Sequence, residues 1–159
     1  CEHIAGELMK GFLSKRPLSE EQKAEMKANC PEIEEKYLSL LQRAVPAIAL
    51  PSFTALNTAF CNDVEPELVF AQCLMGLGKK DDVLLCISTS GNSKNVVAAA
   101  LTAKALGIKT IGLTGKTGGK LKRICDICIC VPETETFMVQ ELHLPVYHYL
   151  CARVEKVMF

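Results

Sequence analysis

The stretch that decides the fold is residues 81–96, which run DDVLLCISTSGNSKNV. Its apolar part, residues 83–87, is short and unbroken, as in a parallel strand that is buried on both faces. Four hydroxyl residues and a glycine follow, and then an apolar helical stripe that ends before Gly107. Residues 109–113 form the next apolar run. This order predicts a strand, a loop, a helix and a second parallel strand.

The hydroxyl-rich loop between strand and helix is a candidate anion site. Ligands of open parallel sheets bind beyond the carboxyl ends of the strands. The start of a helix also offers unpaired N–H groups and the positive end of the helix dipole. A simple capping turn would need only one hydroxyl, so the loop indicates a phosphate site. Its candidate ligands are Ser88, Thr89, Ser90 and Ser93.

The composition describes one globular domain and excludes several classes of protein. The chain has 159 residues, 49% of them hydrophobic and 23% charged, so it is long enough for a substantial core and too apolar to be disordered. A net charge of zero gives no indication of nucleic-acid binding, and no apolar run is long enough to span a membrane. The nine cysteines lie mostly in apolar segments without disulfide spacing, which indicates reduced thiols in a cytoplasmic protein.

Residues 14–43 form a charged excursion that holds twelve charged side chains. The sequence 19–22 fits a capping box, in which Ser19 starts a helix. Pro31 suits the first turn of a second helix with one apolar stripe. We expect a solvated helical insertion here and assign no chemistry to it.

After the excursion, residues 46–51 predict a short strand between two prolines. Asn62 and Asp63 are turn residues, and we expect them beyond the carboxyl end of this strand. A helix is expected from about residue 66 to residue 77, just ahead of the strand 83–87.

Two segments imitate motifs that they do not complete. Residues 115–117 read Gly-Lys-Thr, but a P-loop needs a glycine where Thr110 stands, so we expect a turn and no nucleotide cofactor. Residues 125–131 carry three cysteines alternating with isoleucine, which is typical of a buried strand. No second pair of metal ligands follows at zinc-finger spacing, so we expect core thiols there.

The chain's three histidines lie on the first and last predicted helices. His3 and Glu7 are four residues apart and share one helix face. A long terminal helix, starting near Thr134 or Thr136, carries the other two histidines, His143 and His148. Each histidine alone is typical of packing, whereas Glu7, Gln140 and His148 together could move protons or hold a metal.

With these motifs the chain resembles the sugar isomerase (SIS) domain proteins of the phosphoheptose isomerase type. The loop 87–93, ISTSGNS, is typical of SIS domains in general, and the two helices with histidine indicate the phosphoheptose isomerase branch. The matching segments cover the chain except residues 14–43; they are 3–8, 46–50, 62–63, 87–93, 113–115, 118–119, 125–126, 131–132 and 140–143, together with His148.

This resemblance implies a fold, an activity and a set of roles. The fold would be a three-layer α/β/α sandwich with a parallel, flavodoxin-like sheet, and the activity the interconversion of sedoheptulose 7-phosphate with an aldose. The serine-rich loop would bind phosphate, and Asn62, Asp63 and Gln140 would contact the sugar. Glu7 and His148 would be the acid–base pair. In zinc-containing members of the family, the metal ligands correspond to His3, Glu7, Gln140 and His148.

The resemblance also implies a homotetramer with active sites at subunit interfaces. Gln140 and His148 are eight residues apart, which on one helix is a rise of about 12 Å, whereas zinc ligands lie only about 2.0–2.3 Å from the ion. The four predicted metal ligands are therefore assembled more easily if a neighbouring chain supplies some of them.

Two departures from the family pattern leave alternatives open. The family's first strand and its Asn-Gly-Gly-Ser loop would precede Cys1, so we expect a native N-terminal segment ahead of this sequence. The excursion 14–43 is longer than the usual connection. Within a single SIS domain over residues 1–159, we expect a phosphosugar isomerase; the alternative is a non-catalytic SIS module that binds a sugar phosphate or a protein partner.

Overall fold

A computed structural model describes all 159 residues and shows an α/β fold with a three-stranded parallel sheet. The eight helices are α1 (Glu2–Met9), α2 (Glu20–Asn29), α3 (Glu35–Leu40), α4 (Thr54–Asp63), α5 (Val69–Leu77), α6 (Lys94–Ala105), α7 (Leu121–Ile124) and α8 (Thr136–Met158). The strands are β1 (Val83–Ile87), β2 (Lys109–Thr114) and β3 (Ile127–Cys130). Two single 3₁₀ turns lie at Leu50–Ser52 and Pro66–Leu68. None of the eight helices combines the length and the apolar composition of a membrane-spanning segment.

The chain forms two compact units. The first contains residues 50–146 together with Cys1, and the second contains residues 2–49 and 147–159. The sheet and helices α4 to α7 belong to the first unit, and helices α1 to α3 to the second. Helix α8 contributes residues to both units.

The sheet of the first unit has the order β1-β2-β3, with both pairings parallel. Val83 pairs with Lys109 at one end of the ladder and Ile87 with Leu113 at the other. Helix α6 presents small residues, Ala99, Ala100 and Ala103, which are almost fully buried. Ala99 and Ala103 pack with Leu74 of α5, and Ala100 packs with Cys86 of β1, so short side chains let α6 lie close to both α5 and the sheet. This packing fixes the start of α6 beside the end of β1.

Most of the elements expected for the first unit are confirmed. The helix expected at 66–77 is a 3₁₀ turn followed by α5, and the strand–loop–helix–strand order of 83–113 is β1, α6 and β2. Residues 115–119 form a turn, in which Gly118 and Gly119 have positive φ. Cys128 and Cys130 lie on a strand, as expected, but this strand covers only Ile127–Cys130 and is not buried: both cysteines are half-buried and Ile127 is 59% exposed.

Two expectations about the strands are wrong. Strand β1 is only partly buried: Cys86 is buried, Leu84, Leu85 and Ile87 are half-buried, and Val83 is 62% exposed. The strand expected at 46–51 does not form, and only the 3₁₀ turn at Leu50–Ser52 is regular there. The two prolines lack the N–H groups that a strand ladder needs.

The helices of the excursion are confirmed with different bounds. Ser19 and Gln22 make the capping box of α2. The second helix begins at Glu35 and not near Pro31. None of the α2 side chains is buried, so this part of the second unit is solvated, as its charge predicts.

A buried ion pair stabilises the second unit. The Glu155 carboxylate accepts hydrogen bonds from the backbone N–H groups of Phe12 and Leu13 at 2.8 Å, and from Arg16 Nε at 2.6 Å. Arg16 also donates to the carbonyl of Leu8 at 2.8 Å. Burial alone would raise the pKa of Glu155, but these hydrogen bonds and the Arg16 charge outweigh it, and the pKa falls to about 2.

We expect this ion pair to make stability depend on pH. A carboxyl group whose pKa is lowered by folding stabilises the protein above its unfolded pKa, about 4.3, and loses that contribution as pH falls toward the folded value. The loss for Glu155 should approach about 3 kcal/mol between pH 5 and pH 2. Urea unfolding at a series of pH values measures it.

The matched variants are Glu155→Gln and Glu20→Gln, since the Glu20 side chain is 89% exposed. Glu155→Gln should lower stability at neutral pH by about 3 kcal/mol, because it leaves Arg16 buried and uncompensated, and it should flatten the acid dependence. Glu20→Gln should change neither the stability at neutral pH nor its dependence on acid. An unchanged acid slope in Glu155→Gln would contradict this account.

Candidate functional site

The hydroxyl-rich loop connects the carboxyl end of β1 to the start of α6, as expected. Its first hydroxyl, Ser88 Oγ, is buried and lies 2.9 Å from Ser93 Oγ, so these two serines are tied to each other. Ser93 stands at the N-cap position, but its side chain does not cap α6. The first N–H groups of a helix have no partner within the helix. Here the Val96 N–H donates to Asn95 Oδ1 at 2.9 Å, which leaves the N–H groups of Lys94 and Asn95 for another acceptor.

A close backbone contact holds this loop in shape. Gly91 has φ +66°, and a Cβ built on it would lie 2.1 Å from the Gly118 carbonyl oxygen. A Cβ on Gly119 would lie 2.4 Å from the Ser90 carbonyl oxygen. Asn92 fixes the same contact, because its Oδ1 accepts a hydrogen bond from the Lys120 N–H at 3.0 Å. The loop therefore packs directly against the turn that follows β2.

The surface of the loop presents hydroxyl groups and no side-chain negative charge. Ser90 and Ser93 are exposed and Thr89 is half-buried. Ser90 Oγ accepts from the Asn92 N–H at 3.2 Å, which leaves the hydroxyl hydrogen of Ser90 free to donate. Lys94, the first residue of α6, pairs with Glu67 at 2.5 Å, and this hydrogen bond raises the pKa of Lys94. The arrangement suits an oxyanion, whose oxygens accept hydrogen bonds from hydroxyl and N–H groups.

Asn62 and Asp63 do not lie where the sequence analysis put them. They form the last turn of α4, and both are exposed. The strand that should have preceded them does not form, and no hydrogen bond joins them to the loop 88–93. Their contact with a sugar stays a prediction.

The second unit brings together three predicted residues, His3, Glu7 and His148. His3 Nε2 lies 3.2 Å from Glu7 Oε1, as the spacing of four residues on α1 predicts. The rings of His3 and His148 meet edge to face, with centroids 5.5 Å apart. The proposed acid and base thus flank the same histidine.

Two residues that the sequence analysis missed complete this cluster. Lys10 Nζ donates to Glu7 Oε2 at 2.8 Å, and the Tyr147 hydroxyl lies 2.8 Å from His3 Nδ1. The hydrogen bond from Lys10 is the main reason that the pKa of Glu7 lies below its ordinary value, with His3 adding to the effect. Helix spacing could have identified Lys10, which is three residues after Glu7, whereas no local signal marks Tyr147.

The predicted zinc ligands are not assembled within this chain. No group of three or more His, Cys, Asp or Glu side chains is arranged to hold a metal ion. Both ring nitrogens of His3 already have partners, Glu7 and Tyr147, so neither is free for a metal. Gln140 is an exposed residue of α8 in the first unit. The residues as placed do not fit the metal.

Helix α8 also carries an unsatisfied histidine. His143 is only 5% exposed, and its Nε2 has no hydrogen-bond partner. The sequence analysis assigned His143 to packing, and its burial agrees with that assignment.

Comparison with protein families and curated proteins gives consistent matches. The family model described as "SIS domain" matches residues 51–151. A phosphoheptose isomerase of Nitratiruptor sp. is 49% identical over 115 residues, which are 72% of this chain and 62% of that protein. One from Aneurinibacillus thermoaerophilus is 37% identical over the whole chain and 67% of its own length. The chain thus spans less than two thirds of the length of the Nitratiruptor protein.

Solved structures lead to the same family. The phosphoheptose isomerase of Neisseria gonorrhoeae matches 98% of this chain and 68% of its own, with a TM-score of 0.74 and 29% identity. The enzyme of Francisella tularensis matches 70% of this chain and 62% of its own, with a TM-score of 0.67 and 38% identity.

Proposed function

This chain belongs to the SIS domain family, and from that premise we propose that it is a phosphosugar aldose–ketose isomerase. The proposed substrate is sedoheptulose 7-phosphate or a related sugar phosphate. The relatives named phosphoheptose isomerase support this choice of substrate. The nine free thiols support a reducing compartment, the cytoplasm. The whole chain would form one SIS domain, with residues 14–43 as a charged helical insertion.

The observation that carries the proposal is the loop 88–93. It places exposed hydroxyls, those of Ser90 and Ser93, at the start of α6, where N–H groups and the helix dipole favour an anion. Thr89 and Ser88 would complete the phosphate site. A phosphate held here would be a fixed handle, so that the reacting carbons at the other end of the sugar are positioned for proton transfer.

The chemistry needs a base and an acid, and Glu7 and His148 would supply them. Glu7, kept ionised by Lys10, would take a proton from C1 of the ketose while protonated His148 gives a proton to the C2 oxygen. The C1 hydrogen's bonding electrons become the double bond of an enediol. Glu7 would then return its proton to C2 as the C1 hydroxyl loses its own proton to His148, giving the aldose. Gln140, Asn62 and Asp63 would hold the sugar hydroxyls.

The contacts of Glu7 set a condition for this mechanism. Both carboxylate oxygens have partners, His3 and Lys10. Both partners are more than half exposed, so either can move aside when a substrate enters. No step of the mechanism depends on a metal.

The same contacts favour a second candidate function, a non-catalytic SIS module. A protein that only binds a sugar phosphate needs the loop 88–93 but no available base, and here the oxygens of Glu7 are engaged. Such a module would bind the phosphosugar and leave it unchanged. Turnover of the phosphosugar therefore distinguishes the isomerase from the non-catalytic module, whereas affinity for the phosphosugar does not.

We expect Ser90→Leu to weaken phosphosugar binding. The substitution removes a hydroxyl donor and places an apolar side chain over the helix start. The binding free energy should therefore weaken by more than the value of one neutral hydrogen bond, which is about 1 kcal/mol. Isothermal calorimetry with sedoheptulose 7-phosphate measures it. Ser39→Leu is the matched control, because Ser39 is also an exposed serine and lies on α3. Equal affinity of the wild type and Ser90→Leu would remove the phosphate site from this loop.

A mixing experiment tests the shared active site of a homotetramer. Glu7 and His148 both contact His3 in one chain, whereas Gln140 stands a helical rise of about 12 Å from His148. We expect Gln140 to serve a neighbouring chain's Glu7. Mixing inactive Glu7→Gln chains with Gln140→Ala chains should then restore activity at up to about a quarter of the sites.

The control mixture combines Glu7→Gln with His148→Ala, which should stay inactive, because both residues would serve one site from one chain. Subunit exchange is verified by native mass spectrometry. If the Gln140→Ala mixture gains no activity despite exchange, Gln140 and Glu7 do not act across an interface.

A further inference from the structure

A tyrosine hydroxyl occupies the second ring nitrogen of the histidine that contacts Glu7. The Tyr147 hydroxyl lies 2.8 Å from His3 Nδ1, and His3 Nε2 lies 3.2 Å from Glu7 Oε1. Two hydrogen bonds in series therefore connect α8 to α1 through the imidazole ring. Tyr147 and Glu7, the two ends of the series, are half-buried, whereas His3 between them is exposed.

The charge of Glu7 determines the direction of both hydrogen bonds. Glu7 pairs with Lys10 Nζ at 2.8 Å, and an ionised carboxylate can only accept hydrogen bonds. His3 therefore carries a hydrogen on Nε2. A neutral imidazole has one N–H group, so its Nδ1 is then an acceptor. It follows that Tyr147 donates its hydroxyl hydrogen to Nδ1.

The two oxygens of Glu7 are held with different firmness. Oε2 is bonded to Lys10, a long and flexible side chain that is 58% exposed. Oε1 is bonded to His3, whose other nitrogen is held by Tyr147. The His3 ring also meets the rings of Tyr147 and His148 edge to face, with centroids 5.6 Å and 5.5 Å apart. A substrate therefore displaces Lys10 more easily than His3, which frees Oε2 and leaves Oε1 bonded.

We propose that Tyr147 is a positioning residue of the isomerase, which orients the Glu7 carboxylate through His3 and leaves Oε2 to take the proton. This inference rests on the proposed isomerase function, and it gives Tyr147 no contact with the substrate. His148 packs against the same imidazole, so one hydroxyl group fixes the ring that lies between the proposed base and the proposed acid. Proton transfer requires both groups within hydrogen-bond reach of the substrate, so a small misplacement of either slows the reaction.

Nitrogen-15 NMR of the histidine rings tests these hydrogen bonds without any turnover. At about pH 8, where a free imidazole is neutral, we expect His3 to be protonated on Nε2 and to accept at Nδ1; the spectrum of His3→Asn identifies its signals. Tyr147→Phe removes only the hydroxyl, so the Nδ1 resonance should move toward that of a free acceptor. The matched control is Tyr149→Phe, which should leave the resonance in place, because Tyr149 is 64% exposed on the same helix. A hydrogen on Nδ1 in the wild type, or a resonance that Tyr147→Phe does not move, would overturn the proposal.

Steady-state kinetics with sedoheptulose 7-phosphate measures the effect on the reaction. Tyr147→Phe should lower kcat about tenfold and leave KM within about twofold, because the base is misplaced while the phosphate site is unchanged. Tyr149→Phe should keep both constants. In a His3→Asn background, Tyr147→Phe should cost nothing further, because the tyrosine acts only through the histidine.

An unchanged kcat in Tyr147→Phe, or a tenfold loss that persists in the His3→Asn background, would contradict the positioning role. A wild-type chain that binds the phosphosugar without turnover would count against the proposed isomerase itself. The NMR result would then still decide whether Tyr147 orients His3, so the two failures are distinguishable.

Discussion

The close approach of Gly91 to the Gly118–Gly119 turn is the constraint on which the phosphate loop depends. At this point two loops that follow adjacent parallel strands touch through their backbones, and a Cβ on either side would overlap a carbonyl oxygen. Parallel pairing of β1 with β2 puts both loops at one edge of the sheet. Ser90 and Ser93 are then exposed near the start of α6, whereas Ser88 is buried and its hydroxyl is bonded to that of Ser93.

In the second unit, a buried ion pair holds both ends of the charged excursion, residues 14–43. The Glu155 carboxylate collects the N–H groups of Phe12 to Ser14 and the Arg16 guanidinium, and the Arg43 N–H donates to the Arg16 carbonyl at 2.7 Å. The excursion therefore leaves and returns beside one buried ion pair. The proposed acid–base residues, Glu7 and His148, lie in this unit, on α1 and α8.

The sequence predicts those parts of the structure that depend on local chemistry. The hydroxyl loop, the capping box at Ser19 and the pair His3 and Glu7 follow from residue type and short spacing, and each is confirmed. The prediction of a strand at 46–51 is wrong, because a strand forms only where another strand accepts its hydrogen bonds. Tyr147 and Arg16 could not be found from the sequence, since their partners His3 and Glu155 lie 144 and 139 residues away.

Deuterium exchange into the sugar tests the central claim most directly. In D₂O, an isomerase that moves a proton through a carboxylate exchanges that proton with solvent, so the product should carry deuterium on the carbon beside the carbonyl. Proton NMR of sedoheptulose 7-phosphate incubated with the chain should show this label, and Glu7→Gln should lose it. Binding of the phosphosugar without any deuterium uptake would contradict the isomerase and support the non-catalytic module.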